Sequence, residues 1–63
     1  MNRYHVGCAD RAGCTWVESE HPTLKDAQFA ADLVRYSRGR DWAVFVTDSE
    51  DPERGDLSWE EAL

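Results

Sequence analysis

Apolar and polar residues alternate in two short stretches near the start of the chain. Residues 4–8 place Tyr4, Val6 and Cys8 on one side, and residues 14–18 continue in the same extended pattern. Alternation with a period of two is typical of a strand with one buried face. The turn-forming residues 9–13 lie between the two stretches. The pattern therefore predicts a β-hairpin with a five-residue loop.

A helix is predicted from Leu24 to about Ser37. Thr23 precedes it as an N-cap, because its hydroxyl can accept a hydrogen bond from an orphaned backbone N–H. Asp26 adds a carboxylate three residues later, which suits both a capping box and the positive end of the helix dipole. Gly39 follows as the natural left-handed terminator.

The predicted helix has two apolar flanks instead of one. At about 100° per residue, one flank collects small and aliphatic side chains, and the other consists of Phe29, Leu33 and Tyr36. One face of a sheet covers only one flank. We therefore expect a further element to cover the Phe29/Leu33/Tyr36 flank.

Residues 41–47 form the strongest predicted strand, and it is apolar on both faces, which indicates cover on both. An acidic loop, residues 48–56, follows it. Ser58 then provides an N-cap and Glu61 the third helical position of a capping box. These signals predict a short C-terminal helix that turns Trp59 inward, over the Phe29/Leu33/Tyr36 flank.

The predicted fold class is α+β, and residues 1–63 form a single domain. The order strand-strand-helix-strand favours a small antiparallel three-stranded sheet with the first strand central, one long helix on one face and a short C-terminal helix. A chain of 63 residues buries a thin core. Three Trp, two Phe and two Tyr residues provide the large side chains that such a core needs.

The charge of the chain is concentrated in its last third. The net charge is −6, but residues 1–40 carry six basic and five acidic side chains, whereas residues 41–63 carry eight acidic side chains and only Arg54 as a base. An excess of one sign in one region bears on partners more than on fold. A chain this acidic is a poor candidate for binding nucleic acid directly.

The acidic segment is the candidate partner-binding site. Its order of carboxylates differs from that of an EF-hand calcium loop. Acidic loops also occur simply as solvated surface, but carboxylates spread over a short segment can imitate a row of phosphates and bind Arg and Lys side chains. We predict that the partner-binding residues are Asp48, Glu50, Asp51, Glu53, Asp56, Glu60 and Glu61.

His5, Cys8, Cys14 and His21 form a second candidate site, a zinc or redox module. Their spacing lacks the paired C-x2-C knuckle of common zinc sites, and residues three apart on a strand point to opposite faces. We therefore predict no metal and no cofactor. A five-residue hairpin loop would place Cys8 and Cys14 in cross-strand register, so a disulfide is an open alternative to two free thiols.

The sequence favours a binding protein over an enzyme. It contains no Gly-rich phosphate loop and no nucleophile elbow. The polar N-terminal residues do not resemble a signal peptide, and the longest apolar run, residues 42–46, is far too short to span a bilayer. We expect a cytoplasmic protein, which would be the host cytoplasm if a phage encodes it.

In size, acidity and order of elements, the chain resembles small phage-type inhibitors, the anti-CRISPR proteins in particular. The resemblance rests on residues 48–56 with Glu60 and Glu61 as the acidic surface. It implies a DNA mimic that blocks a basic nucleic-acid-binding surface of an effector complex. The alternatives are the zinc or redox module and a structural or regulatory mini-domain that dimerises through its apolar helix. The expected state is a monomer or a weak dimer.

Overall fold

A computed structural model describes residues 1–61 and contains three strands, one helix and a single 3-10 turn. The elements are β1 (Tyr4–Ala9), β2 (Thr15–His21), α1 (Leu24–Arg38), β3 (Ala43–Asp48) and the 3-10 turn Pro52–Arg54. The sheet has the order β2-β1-β3, and both pairings are antiparallel. The α+β class and the central position of the first strand are confirmed.

The hairpin loop is held by Asp10. Its carboxylate accepts hydrogen bonds from the backbone N–H groups of Ala12 at 2.9 Å and Cys14 at 3.0 Å. Gly13 adopts φ 89°, which a side chain would disfavour. β2 begins one residue later than predicted and continues to His21. Because Cys8 lies opposite Trp16 and Cys14 lies in the loop, the predicted cross-strand cysteine pair is wrong.

A β-bulge lets β2 continue through residues that break its alternating pattern. Val6 pairs with Ser19 and Gly7 pairs with Val17, so Glu18 is the extra residue on the longer strand. Bulges of this kind increase the local twist of an edge strand and disturb its outer row of hydrogen-bonding groups.

The core lies between the sheet and one face of α1. The apolar residues that are fully or almost fully buried are Val6, Cys8, Ala27, Ala31, Val46 and Leu57. The predicted caps of α1 are confirmed: the Thr23 hydroxyl accepts from the Asp26 N–H at 3.2 Å, and the Gly39 N–H donates to the Arg35 carbonyl at 2.8 Å. The small side chains of Ala27 and Ala31 let α1 approach the sheet closely.

The opposite face of β3 is covered differently from the prediction. α1 lies on the other side of the sheet, and Phe45, which is half-buried, lies against Gly7 of the neighbouring strand. A methyl group at Gly7 would overlap the edge of the Phe45 ring. Because Gly7 has no side chain, the Phe45 ring lies against the backbone of β1, and this contact helps to bury the ring.

The segment after the 3-10 turn corrects the prediction of an inward-facing Trp59. Leu57 is buried, whereas Trp59 is 77% exposed, and Phe29, Leu33 and Tyr36 are 67%, 54% and 92% exposed. Residues 57–61 form a turn and not a helix; the rest of the predicted helix, residues 62–63, lies outside the described residues. Nothing in residues 1–61 therefore covers the Phe29/Leu33/Tyr36 flank in the way we predicted.

The hydrogen bonds of Ser58 explain why residues 57–61 form a turn and not the predicted helix. Its hydroxyl donates to the Asp56 carboxylate at 2.5 Å, and its backbone N–H donates to the same oxygen at 2.9 Å. The hydroxyl therefore bonds backwards along the chain, to the residue two positions before it. A helix N-cap would instead accept a hydrogen bond from a residue ahead of it.

Candidate protein-binding surfaces

Asp48 is the centre of an ion-pair network at the end of β3. Its side chain is completely buried, and both carboxylate oxygens accept hydrogen bonds from Arg3, from Nε at 2.8 Å and from Nη2 at 2.8 Å. Arg54 adds a third bond from Nη1 at 3.0 Å. The backbone N–H of Glu50 adds a fourth at 3.0 Å. Every lone-pair direction of this carboxylate is therefore occupied within the chain.

The network fixes the protonation state of Asp48. Hydrogen bonds from Arg3 are the largest cause that holds the pKa of Asp48 well below its usual range, and they outweigh the opposing effect of burial. The hydrogen bonds to Asp48 raise the pKa of Arg3, and the hydrogen bonds to Glu60 and then to Asp48 raise the pKa of Arg54. The folded state therefore favours the charged form of Asp48.

Asp56 has a comparable role at the outer edge of β3. Its carboxylate accepts from the backbone N–H of Val46 at 3.0 Å, and the Val46 carbonyl accepts from the Leu57 N–H at 2.7 Å. Burial raises the pKa of Asp56, but the hydrogen bonds from Ser58 and Val46 more than offset it, so the pKa is lowered. The free edge of β3 is thus covered at Val46 by the segment that follows the 3-10 turn.

Two side chains of α1 hold the same segment. Gln28 donates to the carbonyls of Leu57 at 2.8 Å and Glu60 at 2.6 Å. Arg35 donates to the Ser58 hydroxyl at 2.5 Å and to the Val44 carbonyl at 2.9 Å, and its guanidinium lies 4.7 Å from the centre of the Trp59 ring. The C-terminal segment is therefore bonded both to β3 and to α1.

The structure divides the seven predicted partner-binding residues into two groups. Asp48 is buried and maintains the fold, so we correct its assignment as a contact residue. Asp56 is exposed, and one of its two oxygens accepts the hydrogen bonds from Val46 and Ser58, so it has a structural role as well. The other five are exposed and lie in the segment that follows β3. We call these five the acidic surface: Glu50, Asp51, Glu53, Glu60 and Glu61.

The two arginines of the network, which sequence reasoning did not identify, also position the acidic surface. Arg3 approaches Glu50 with its Nε at 3.2 Å from Oε2, and Arg54 donates to Glu60 at 2.8 Å. Asp51, Glu53 and Glu61 have no ion pair to a residue within 1–61. Arg54 could have been identified from the sequence, because it is the single basic residue among the eight acidic residues of positions 41–63.

A second exposed surface lies on α1. Phe29, Leu33 and Tyr36 are separated by four and three residues, which places them in one row along the helix. We call this row the apolar stripe. Below it, Leu33 and Val34 line a shallow hollow of about 160 Å³ with Glu18 of the bulge and Arg38. The stripe is the flank for which the sequence predicted a cover, and residues 1–61 leave its three side chains exposed.

The four residues of the candidate zinc or redox site do not form a metal-binding cluster. His5 lies 3.2 Å from a Glu20 oxygen, and His21 lies 2.8 Å from the Ser19 hydroxyl. Cys8 is a buried free thiol whose pKa is raised by burial, and Cys14 is exposed in the loop. Within residues 1–61, no group of three His, Cys, Asp or Glu side chains has the geometry to hold a metal ion.

Comparison of the chain with protein-family models, with curated proteins and with solved structures finds no match. In the part of the chain that the structure describes, no helix has the length and hydropathy required to cross a membrane. Function must therefore be argued from the two surfaces themselves.

Proposed function

We propose that this chain is a small protein-binding inhibitor that acts as a DNA mimic. Its acidic surface would bind a basic groove with which a partner protein otherwise binds nucleic acid. An effector complex of the CRISPR type is the partner implied by the resemblance to anti-CRISPR proteins. The proposal assigns the chain no catalytic role and no direct contact with nucleic acid.

The observation that carries the proposal is the cross-bracing of the acidic segment. A loop that serves only solubility can remain mobile, but this one is tied to Arg3, the residue before β1, and through Arg54 to its own far end at Glu60. A braced segment that carries carboxylates loses less conformational entropy on binding a cationic groove than a mobile loop would. The bracing therefore favours recognition over simple solvation.

The balance of charge at this end supports the same proposal. Seven carboxylates lie between residues 48 and 61; the network sets Arg3 and Arg54 against them, and Lys25 lines one pocket with Arg54, Glu60 and Glu61. The surface thus keeps a net negative charge, and with it a negative potential, after these basic groups are counted. Such a potential steers association with a positive groove and can raise the association rate by about 10- to 1,000-fold at low salt.

The test is a variant that neutralises the unpaired carboxylates, Asp51→Asn/Glu53→Gln/Glu61→Gln. We expect association with a basic nucleic-acid-binding complex to slow about tenfold or more at low salt, because the steering potential falls. The fold should persist, since these side chains have no ion pairs within residues 1–61. Binding is measured by surface plasmon resonance on purified CRISPR effector complexes, at two salt concentrations, with and without cognate DNA.

A matched control removes the same number of charges elsewhere. Glu18→Gln/Glu20→Gln/Asp41→Asn neutralises three exposed carboxylates on β2 and before β3. It should leave association nearly unchanged. Equal effects of the two triple variants would reduce the proposal to a net-charge effect, and simultaneous binding of the protein and DNA to one complex would contradict mimicry.

A further inference from the structure

The outer edge of β3 forms its hydrogen bonds with groups of the same chain. In an antiparallel sheet, alternate residues of an edge strand point their backbone N–H and C=O groups away from the neighbouring strand. The contacts of β3 show that these outward residues are Val44, Val46 and Asp48. The last of them, Asp48, is occupied by the turn that follows, because its carbonyl accepts from the Asp51 N–H at 3.1 Å.

Three residues from outside the strand occupy the rest of this edge. The Val44 carbonyl accepts from Nη2 of Arg35 at 2.9 Å. The Val46 carbonyl accepts from the Leu57 N–H at 2.7 Å, and the Val46 N–H donates to the Asp56 carboxylate at 3.0 Å. We call Arg35, Asp56 and Leu57 the edge cover. They take the hydrogen-bonding positions that an added strand would use.

The strand beneath the edge cover has the composition of a segment that pairs with copies of itself. Residues 42–47 are rich in aromatic and β-branched side chains and contain no charged residue, no Pro and no Gly. The other edge strand, β2, carries a bulge and the exposed carboxylates of Glu18 and Glu20, which oppose pairing. β3 pairs with β1 without a register shift, so it depends on the edge cover for this protection.

The outer edge of β3 is self-complementary in its backbone. If a second copy aligns its β3 antiparallel with Phe45 opposite Phe45, the outward groups of Val44 meet those of Val46 of the second copy. Such a register allows four backbone hydrogen bonds, two at each Val44–Val46 pair. A two-fold contact requires this arrangement, because both copies use the same edge.

We propose that β3 is a latent self-association edge, that its partner is β3 of a second copy, and that the edge cover keeps the chain monomeric. Displacement of the cover would join two three-stranded sheets into one antiparallel sheet of six strands. The acidic surface consists of other residues, so this inference goes beyond the proposed function. It gives the contacts of Arg35 and Asp56 a role in controlling the oligomeric state.

Sedimentation equilibrium on the whole chain tests the edge cover with a matched pair of double variants. The cover variant Arg35→Leu/Asp56→Leu frees the Val44 carbonyl and the Val46 N–H. Its control, Arg35→Gln/Asp56→Asn, removes the same two charges but keeps an amide donor and an amide acceptor at the two positions. The cover variant should self-associate at least about tenfold more tightly than the wild type, because freed backbone groups find partners in the second copy. The control should remain close to the wild type.

A charge pair tests the strand register. Ala43 and Thr47 share the face of Phe45, and the proposed register sets each opposite the other in the second copy. Ala43→Lys/Thr47→Lys, added to the cover variant, should weaken association about fivefold, because like charges then lie directly opposite each other. Ala43→Lys/Thr47→Glu should associate at least as tightly as the cover variant. This order is the reverse of the one that net charge alone would give, since the two lysines reduce the negative charge of the chain.

A third control separates edge pairing from a general loss of stability. Ala31→Gly destabilises the buried face of α1 and leaves the edge of β3 unchanged, so it should stay monomeric like the wild type. Circular dichroism measures how far each variant folds. If the cover variant does not fold, Asp56→Leu against Asp56→Asn makes the same comparison with Arg35 in place. The variant Asp51→Asn/Glu53→Gln/Glu61→Gln should also stay monomeric, which separates this proposal from the proposed function.

Three results would overturn the inference. The first is a folded cover variant that stays as monomeric as its amide control. The second is self-association of Ala31→Gly as tight as that of the cover variant, which would attribute association to lost stability. The third is equal association of the two charge-pair variants, which would exclude the antiparallel register through Phe45.

Discussion

Asp48 shows how one side chain can be misassigned when only its sequence is considered. It lies among exposed acids in the chain, yet it is buried and bonded to two arginines. We predict that Asp48→Asn destabilises the fold more than any exposed carboxylate variant, because it places an amide against guanidinium donors that need a carboxylate. Urea unfolding followed by tryptophan fluorescence measures the loss. The control Glu53→Gln should change stability by only about 0.5 kcal/mol or less.

The lowered pKa of Asp48 also predicts how stability depends on pH. A carboxyl whose pKa is depressed by folding stabilises the native state above its unfolded pKa of about 4 and loses that contribution as the pH falls. Asp56 acts in the same direction. The wild type should therefore lose stability steeply below about pH 4. Below this pH, the free energy of unfolding of Asp48→Asn should fall less steeply than that of the wild type. Equal slopes for the two proteins would contradict this account of Asp48.

The burial of Asp48 could not be predicted because its partner is distant in sequence. Arg3 lies 45 positions away, and only the sheet order β2-β1-β3 brings it to the end of β3. The sequence locates the acidic residues in the last third of the chain. It could not separate the two aspartates whose carboxylates hold the fold, buried Asp48 and exposed Asp56, from the other five acids, because that division depends on tertiary contacts.

At the scale of elements, the difference between local and distant hydrogen bonds separates α1 from the C-terminal segment. The caps of α1, Thr23 and Gly39, bond to neighbours within four residues, so local sequence predicted them correctly. In the sequence, Ser58 is as strong an N-cap signal as Thr23. Its hydroxyl bonds instead to Asp56 and receives Arg35 from across the molecule. Local signals predicted the helix that depends on local bonds and failed where distant bonds decide.

The corrected position of the C-terminal segment leads to a prediction about which of its apolar residues supports the fold. Leu57 is 1% exposed and belongs to the core cluster, whereas Trp59 is 77% exposed. Leu57→Ala should lower the free energy of unfolding by ~2–5 kcal/mol, as other buried leucines do. Trp59→Ala should cost about 1 kcal/mol or less, mainly through its contact with Arg35. Thermal unfolding compares them, and a larger effect at Trp59 would restore our original prediction that it covers α1.

At the scale of the whole molecule, two surfaces of different chemistry occupy different parts of one thin domain. The acidic surface follows β3, and the apolar stripe lies along α1. Gln28 and Arg35 join the two regions, because both extend from α1 to the C-terminal segment.

The whole domain also poses the question of what stabilises so small a core. A structural metal is one common answer for chains below about 70 residues. Here the Asp48 and Asp56 networks tie β1, β3 and the C-terminal segment together, and His5, Cys8, Cys14 and His21 remain apart. We therefore predict that the purified protein contains less than stoichiometric zinc and that a chelator leaves its circular dichroism unchanged. Metal analysis and a chelator titration test this together, with Cys14→Ser as the matched variant. Because structural zinc binding is coupled to folding, stoichiometric zinc and chelator-induced unfolding would favour the zinc or redox module instead.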